Sequence, residues 1–171
     1  MTIGDQSIEL AAGILLFDVS SNTVLLVKDS KGSWRFPSGR REGTESCVAT
    51  AVRELEEETG IQRGNYCLFL TPFTLAKRKN PESSSAQDAK LTALFPALLS
   101  GSRSNLPSGK HESKSTPEWC SIDEAMKRTR STSRAGCLAS AFHLVETFRS
   151  EKLSHTYSLP TYSAWVANLN S

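Results

Sequence analysis

From residue 53 to residue 58 the chain reads Arg-Glu-Leu-Glu-Glu-Glu: four glutamates in five positions (Glu54, Glu56, Glu57, Glu58), next to one arginine and just before Gly60. Like charges at helical spacing repel by a few tenths of a kcal/mol per pair, so the crowding calls for a use. On a helix that advances about 100° per residue, Glu54, Glu57 and Glu58 share one face and Glu56 points elsewhere. Arg53 stands at i, i+4 to Glu57, placed to brace it. Three converging carboxylates are hard oxygen ligands, the kind that hold Mg2+ or Mn2+ together with substrate phosphates. Such a cation aligns a water, polarises a phosphoryl oxygen and stabilises a leaving group. The plainer alternative for such a run is a solvated helix face.

The acids need an element to position them. Val48, Ala51, Val52 and Leu55 recur at i, i+3, i+4, i+7, which predicts a helix over residues 45–58 with an apolar stripe beside the acidic face. Thr44 is the expected N-cap and Gly60 the expected C′ stop. Upstream, residues 11–17 and 23–29 read as strands around a Ser-Ser-Asn turn, with a short strand in Trp34-Arg35-Phe36. Downstream, residues 65–76 and 91–99 read as two more strands. Residues 121–128 read as a short helix capped by Ser121, and 134–150 as a terminal helix. Polar stretches at 77–90 and 101–116 are expected loops. One domain over 1–152 and a C-terminal tail over 153–171 account for the chain.

At 171 residues, with 38% hydrophobic and 22% charged residues, the chain has a globular balance and enough length to bury a core. No apolar run reaches the roughly 20 residues of a membrane span, and the first ten residues lack the basic region of a signal peptide. Four dispersed cysteines without a C-x-x-C pair point away from zinc ribbons and redox motifs, and towards reduced thiols in a cytoplasmic or nuclear setting. The net charge of +2 is uneven: residues 39–61 hold six of 18 acids and three of 20 bases, leaving the rest clearly basic. An acidic knot in a basic surround suits central cations and an anionic partner.

The spacing Gly39, five residues, Glu45, seven residues, Arg53-Glu54-Leu55, one residue, Glu57-Glu58, one residue, Gly60-Ile61 resembles the Nudix box at every defined position. Trp34 to Gly39 and residues 118–125 are also similar to segments of that family. The resemblance implies an α/β fold, an α/β/α sandwich around a mixed sheet, and hydrolysis of a nucleoside diphosphate linked to another moiety with Mg2+ or Mn2+. It implies Glu57 and Glu58 as metal ligands, with the Gly39 carbonyl. Glu54 would be a ligand or the base for the attacking water, and Arg53 the brace. Glu45 would stabilise the loop, with a water-mediated reach to the metals. Asp88, Glu112 and Glu118 are open candidates for a further acid. Ser38 departs from the second glycine that many members carry there.

Substrate markers are mostly negative: Ala76 replaces the proline frequent in ADP-ribose hydrolases, and Arg78 the tyrosine frequent in diadenosine hydrolases. Basic residues around the box remain, with Lys28, Arg35, Arg40 and Arg41 as expected substrate-binding groups beside Lys31. They favour a small, multiply phosphorylated substrate, a diphosphoinositol polyphosphate or a dinucleoside polyphosphate. A nucleoside triphosphate sanitising hydrolase and a non-catalytic nucleotide-binding domain are the alternatives. With 8% aromatic residues and no recognisable RNA module, neither a nucleic-acid partner nor a membrane partner is expected.

Overall fold

The computed structural model describes residues 8–78, 89–106, 116–129 and 132–154. Strands β1 (Glu9–Asp18), β2 (Thr23–Lys28), β3 (Trp34–Arg35) and β4 (Ser38–Arg40) lead into helix α1 (Cys47–Thr59). Strands β5 (Tyr66–Leu68), β6 (Phe73–Arg78), β7 (Ala89–Leu99) and β8 (Thr116–Ser121) follow, and helices α2 (Ile122–Arg128) and α3 (Thr132–Ser154) close the described chain. The expected single strand over 65–76 divides in two. Thr71-Pro72 interrupts it, and β5 and β6 pair separately with β7. Both ends of the expected loop 77–90 belong to strands, because β6 continues to Arg78 and β7 starts at Ala89. The rest of that stretch, and residues 107–115, lie outside the described residues, as does the tail beyond Ser154.

The sheet is mixed, as expected for the α/β class. β1 and β7 run parallel over Glu9–Phe17 and Lys90–Leu98, while β2, β4, β5, β6 and β8 join by antiparallel ladders. β1 is flanked on one side by β7, and on the other by β4 at its start and β2 at its end. Side chains alternate across the sheet, and two cores result. Ile14, Leu16 and Phe95 pack with Ala51 and Leu55 of α1 on one face. Leu15, Phe17 and Leu94 pack with Ala125, Leu138, Ala141 and Val145 of α2 and α3 on the other. Each fully buried Leu or Phe of these clusters stabilises the fold by roughly 1.5–3 kcal/mol. This is the sandwich that the resemblance implied.

α1 starts later than expected. Its N-cap is Ser46, not Thr44, and the Ser46 hydroxyl accepts from the Ala49 N–H at 3.1 Å. Gly60 ends it as expected, at φ +71°, donating its N–H to the Glu56 carbonyl at 2.7 Å. The buried stripe is narrower than the period implied. Ala51 and Leu55 are buried, whereas Val48 and Val52 are only half-buried, at the margin of that core.

Candidate active site

The site grows from the meeting of α1 with β4. Gly39 lies where a Cβ would run into the Glu54 carboxylate, so only glycine lets the helix acid rest against the strand backbone. Beside it, Ser38 packs over Gly13, its register partner in β1, where a Cβ would collide with Pro37 and Ser38. Gly13 therefore supplies the room that Ser38 takes up, and the serine costs the loop nothing.

The antiparallel ladder fixes which β4 carbonyls face the helix acids. Ile14 donates to the Pro37 carbonyl and Arg41 to the Leu10 carbonyl, each at 3.0 Å. Alternation then places Gly39, opposite Ala12, in the inward-bonding position. The carbonyls of Ser38 and Arg40 face outward instead, where they accept from Arg35 at 2.7 Å and Arg53 at 3.0 Å. Gly39 thus meets Glu54 sterically, while the outward carbonyl beside the helix acids is that of Ser38.

Arg53 is the hub. It donates to Glu45 at 2.8 and 3.1 Å, to Glu54 at 2.9 Å and to Glu57 at 3.0 Å. Its hydrogen bonds to Glu45, then to Glu54, hold it charged well above the usual arginine range, against the opposing effect of burial. Glu45 is drawn down to about 2, first by Arg53, then by the Glu42 N–H and the Thr50 hydroxyl. That carboxylate therefore braces the loop between β4 and α1. Glu54 moves the other way: desolvation raises its pKa, Arg53 opposes the rise, and Glu58 and Glu57 add to it. Glu58 is buried, held by both arms of the Arg35 guanidinium and by the Ser38 N–H at 3.1 Å. Glu57 is the solvent-facing member, with its side chain 56% exposed. It borders an open depression of about 720 Å³, lined also by Val48, Val52, Arg53 and Arg63. That volume is in the range of small-molecule sites.

Of the expected substrate-binding residues, Arg35 reaches the site but is committed to Glu58 and Ser38. Arg40 stands at the strand end beside the site, and its exposed side chain pairs with Glu9 at 3.2 Å. Arg41 is exposed at the same strand end. Lys28 is not brought to the box. It lies on the α2 and α3 face, over the Trp34 ring at 5.5 Å, with Arg128 at 4.6 Å from the same ring. Glu118 is also on that face, paired with Arg128 at 2.6 Å, while Asp88 and Glu112 lie outside the described residues.

No group of three or more acidic, histidine or cysteine side chains stands ready as a metal cage among the described residues. The donor chemistry nonetheless fits a hard divalent cation. Glu54, Glu57 and Glu58 sit on one helix and Ser38 presents a carbonyl outward, all of them oxygen donors. Arg35 and Arg53 supply positive charge to these same acids.

Comparison with known proteins agrees with this geometry. The family model of the NUDIX domain matches residues 8–141. The chain belongs to that family. Over 50 residues it is 48% identical to nucleoside diphosphate-linked moiety X motif 6 of Mus musculus, covering 28% of this chain and 16% of that protein. Over 56 residues it is 41% identical to mRNA-decapping protein g5R of African swine fever virus, covering 30% and 23%. The matched segment thus spans less than a quarter of either curated relative. Among solved structures, a C. elegans Ap4A hydrolase binary complex superposes with a TM-score of 0.66 at 21% identity, over 82% of this chain and 98% of that one. The E. coli dihydroneopterin triphosphate pyrophosphohydrolase gives 0.61 at 16% identity, over 77% and 92%. These likenesses concern the fold.

Proposed function

We propose that the chain is a Mg2+- or Mn2+-dependent pyrophosphohydrolase that cleaves a diphosphate linkage in a small polyphosphorylated substrate, a dinucleoside polyphosphate or a diphosphoinositol polyphosphate. One observation carries the reading: Glu54 and Glu58 rest against β4, and Arg53 ties Glu54 to Glu57 on the same helix, with basic side chains around them. When bound, a divalent cation neutralises phosphate charge and polarises the scissile phosphoryl group. Glu57, Glu58 and the Ser38 carbonyl are the residues to hold it. Glu54, half-buried and with a raised pKa, is suited to take a proton from the attacking water. Arg53 keeps Glu54 and Glu57 oriented, and Arg40 and Arg41 at the strand end receive substrate phosphates. The C. elegans neighbour in fold is an Ap4A hydrolase, and Ap4A, a dinucleoside polyphosphate, belongs to this substrate class.

A substrate panel tests this. It contains diadenosine tetraphosphate, a diphosphoinositol polyphosphate, dGTP, ADP-ribose and a capped oligonucleotide, the last because of the likeness to mRNA-decapping protein g5R. The expected result is the highest kcat/KM on one of the first two. Preference for dGTP would make the chain a nucleoside triphosphate hydrolase. Preference for the capped oligonucleotide would make it an RNA-directed enzyme. Turnover of none would leave a binding domain.

A further inference from the structure

On the face of the sheet opposite α1, four neighbouring strands bring charged side chains together at their ends. Glu9 of β1 is in register with Lys90 of β7, and Lys90 with Lys77 of β6. On the other flank, Arg40 of β4 is in register with Ala11, two residues along β1 from Glu9. Residues two apart on a strand share a face. Glu9 and Ala11 therefore share the face of Leu15 and Phe17, which pack towards α2 and α3. Glu9 lies roughly 20 Å along β1 from Leu15, and Arg40 about 14 Å across the strands from Lys77, at about 3.3 Å per residue and 4.8 Å per strand.

Glu9 accepts from Arg40 at 3.2 Å and from Lys90 at 2.9 Å, through the same carboxylate oxygen. Lys77 faces Lys90 directly, and like charges in directly opposed positions destabilise a sheet. Among the described residues, Arg40 and Lys90 thus hold one acid that is only 14% exposed, and Lys77 stands across the ladder from Lys90. The cluster is also joined to the box, since Arg53 donates to the backbone carbonyl of Arg40.

We infer that Arg40, Lys90 and Lys77, gathered around Glu9, form a second anion subsite for the substrate phosphates that lie beyond the scissile linkage. The inference rests on the pyrophosphohydrolase reading and adds to it a preference for longer phosphate chains. Glu9 occupies Arg40 and Lys90 until phosphate oxygens replace its carboxylate. Substrates with a single diphosphate reach the box and leave the subsite unfilled.

Calorimetry with inorganic tripolyphosphate in EDTA, where the box carboxylates repel anions, reads the subsite directly. Lys77→Ala/Lys90→Ala should weaken binding at least tenfold, about 1.4 kcal/mol. The Lys77→Arg/Lys90→Arg variant should restore it, and added salt should weaken it in the wild type. Glu9→Gln should tighten it, because a competing carboxylate is gone. A structural role alone would move the alanine and glutamine variants in the same direction. In turnover, the alanine variant should raise KM for diadenosine tetraphosphate about tenfold with little change in kcat, and change KM for ADP-ribose less than twofold. Equal changes on both substrates, or tripolyphosphate binding that ignores these substitutions, would overturn the subsite and leave the hydrolase reading standing. A wild type that hydrolyses nothing in the panel would overturn the hydrolase reading, while the tripolyphosphate measurement would still decide the subsite.

Discussion

Glu57 is the carboxylate whose loss should cost most chemistry and least structure, because it is the exposed member of the acidic face. Glu57→Gln should leave the circular dichroism spectrum as in the wild type and lower kcat by about two orders of magnitude or more. Arg53→Ala should do both kinds of damage. Glu45, Glu54 and Glu57 all lose their shared donor, and the partly buried network should lose roughly 1–2 kcal/mol on thermal denaturation. A mutant with full activity and a wild-type Tm would reduce Arg53 to a surface residue. Gly13→Ala tests the packing under Ser38: the added Cβ has no space, and overpacking of this kind costs about 1–3 kcal/mol. The bracing role of Arg53 was legible from its i, i+4 spacing to Glu57. Its grip on Glu45 was implied by no periodicity, because it depends on how the loop folds back.

Among the elements, the turn between β1 and β2 carries a clamp that has no part in the chemistry. Asp18, buried at the end of β1, accepts from the Ser21 hydroxyl and the Arg103 guanidinium, each at 2.6 Å. Arg103 also lies over the Trp119 ring of β8 at 4.5 Å. Burial pushes the Asp18 pKa up, but hydrogen bonds from Ser20, Ser21 and Arg103 outweigh it and bring the pKa from 3.8 to about 2. A carboxylate with a depressed folded pKa stabilises the fold above its unfolded pKa and loses that contribution as pH falls through the folded one. Here the contribution is about 2 kcal/mol, lost between roughly pH 4 and pH 2. Arg103→Ala should therefore lower Tm at neutral pH and flatten its fall with acid over that window. An unchanged Tm–pH curve would contradict the clamp. Pairing of this sort could not be read from the sequence, since Asp18 and Arg103 are 85 residues apart. Helix α1 could be read because its period, its glycine stop and its acids agree. Its start could not, because Ser46 competes with Thr44 and only the use of Glu45 by Arg53, Thr50 and the Glu42 N–H decides between them.

Taken as a whole molecule, the sandwich was foreseeable from the box, whereas the distribution of charge over its two faces was not. Lys28 and Arg35 are close in sequence, yet they end on opposite faces through the short β2–β3 ladder. Lys77 and Lys90 were read as loop residues and prove to be strand residues in register. The ladder also turns the Ser38 carbonyl towards the acids and the Gly39 carbonyl away from them, a distinction of one residue that spacing cannot carry. No helix among the described residues is long and apolar enough to cross a membrane. The central claim is that the α1 acids, set against β4, hydrolyse a diphosphate linkage with a divalent cation. Its most direct test is hydrolysis of diadenosine tetraphosphate by the purified chain, followed by product chromatography in EDTA and after Mg2+ or Mn2+ is restored, with Glu57→Gln in parallel. Turnover that stops in EDTA, returns with either cation and fails in Glu57→Gln is the predicted result. Turnover that persists in EDTA, or a Glu57→Gln variant as active as the wild type, would contradict it.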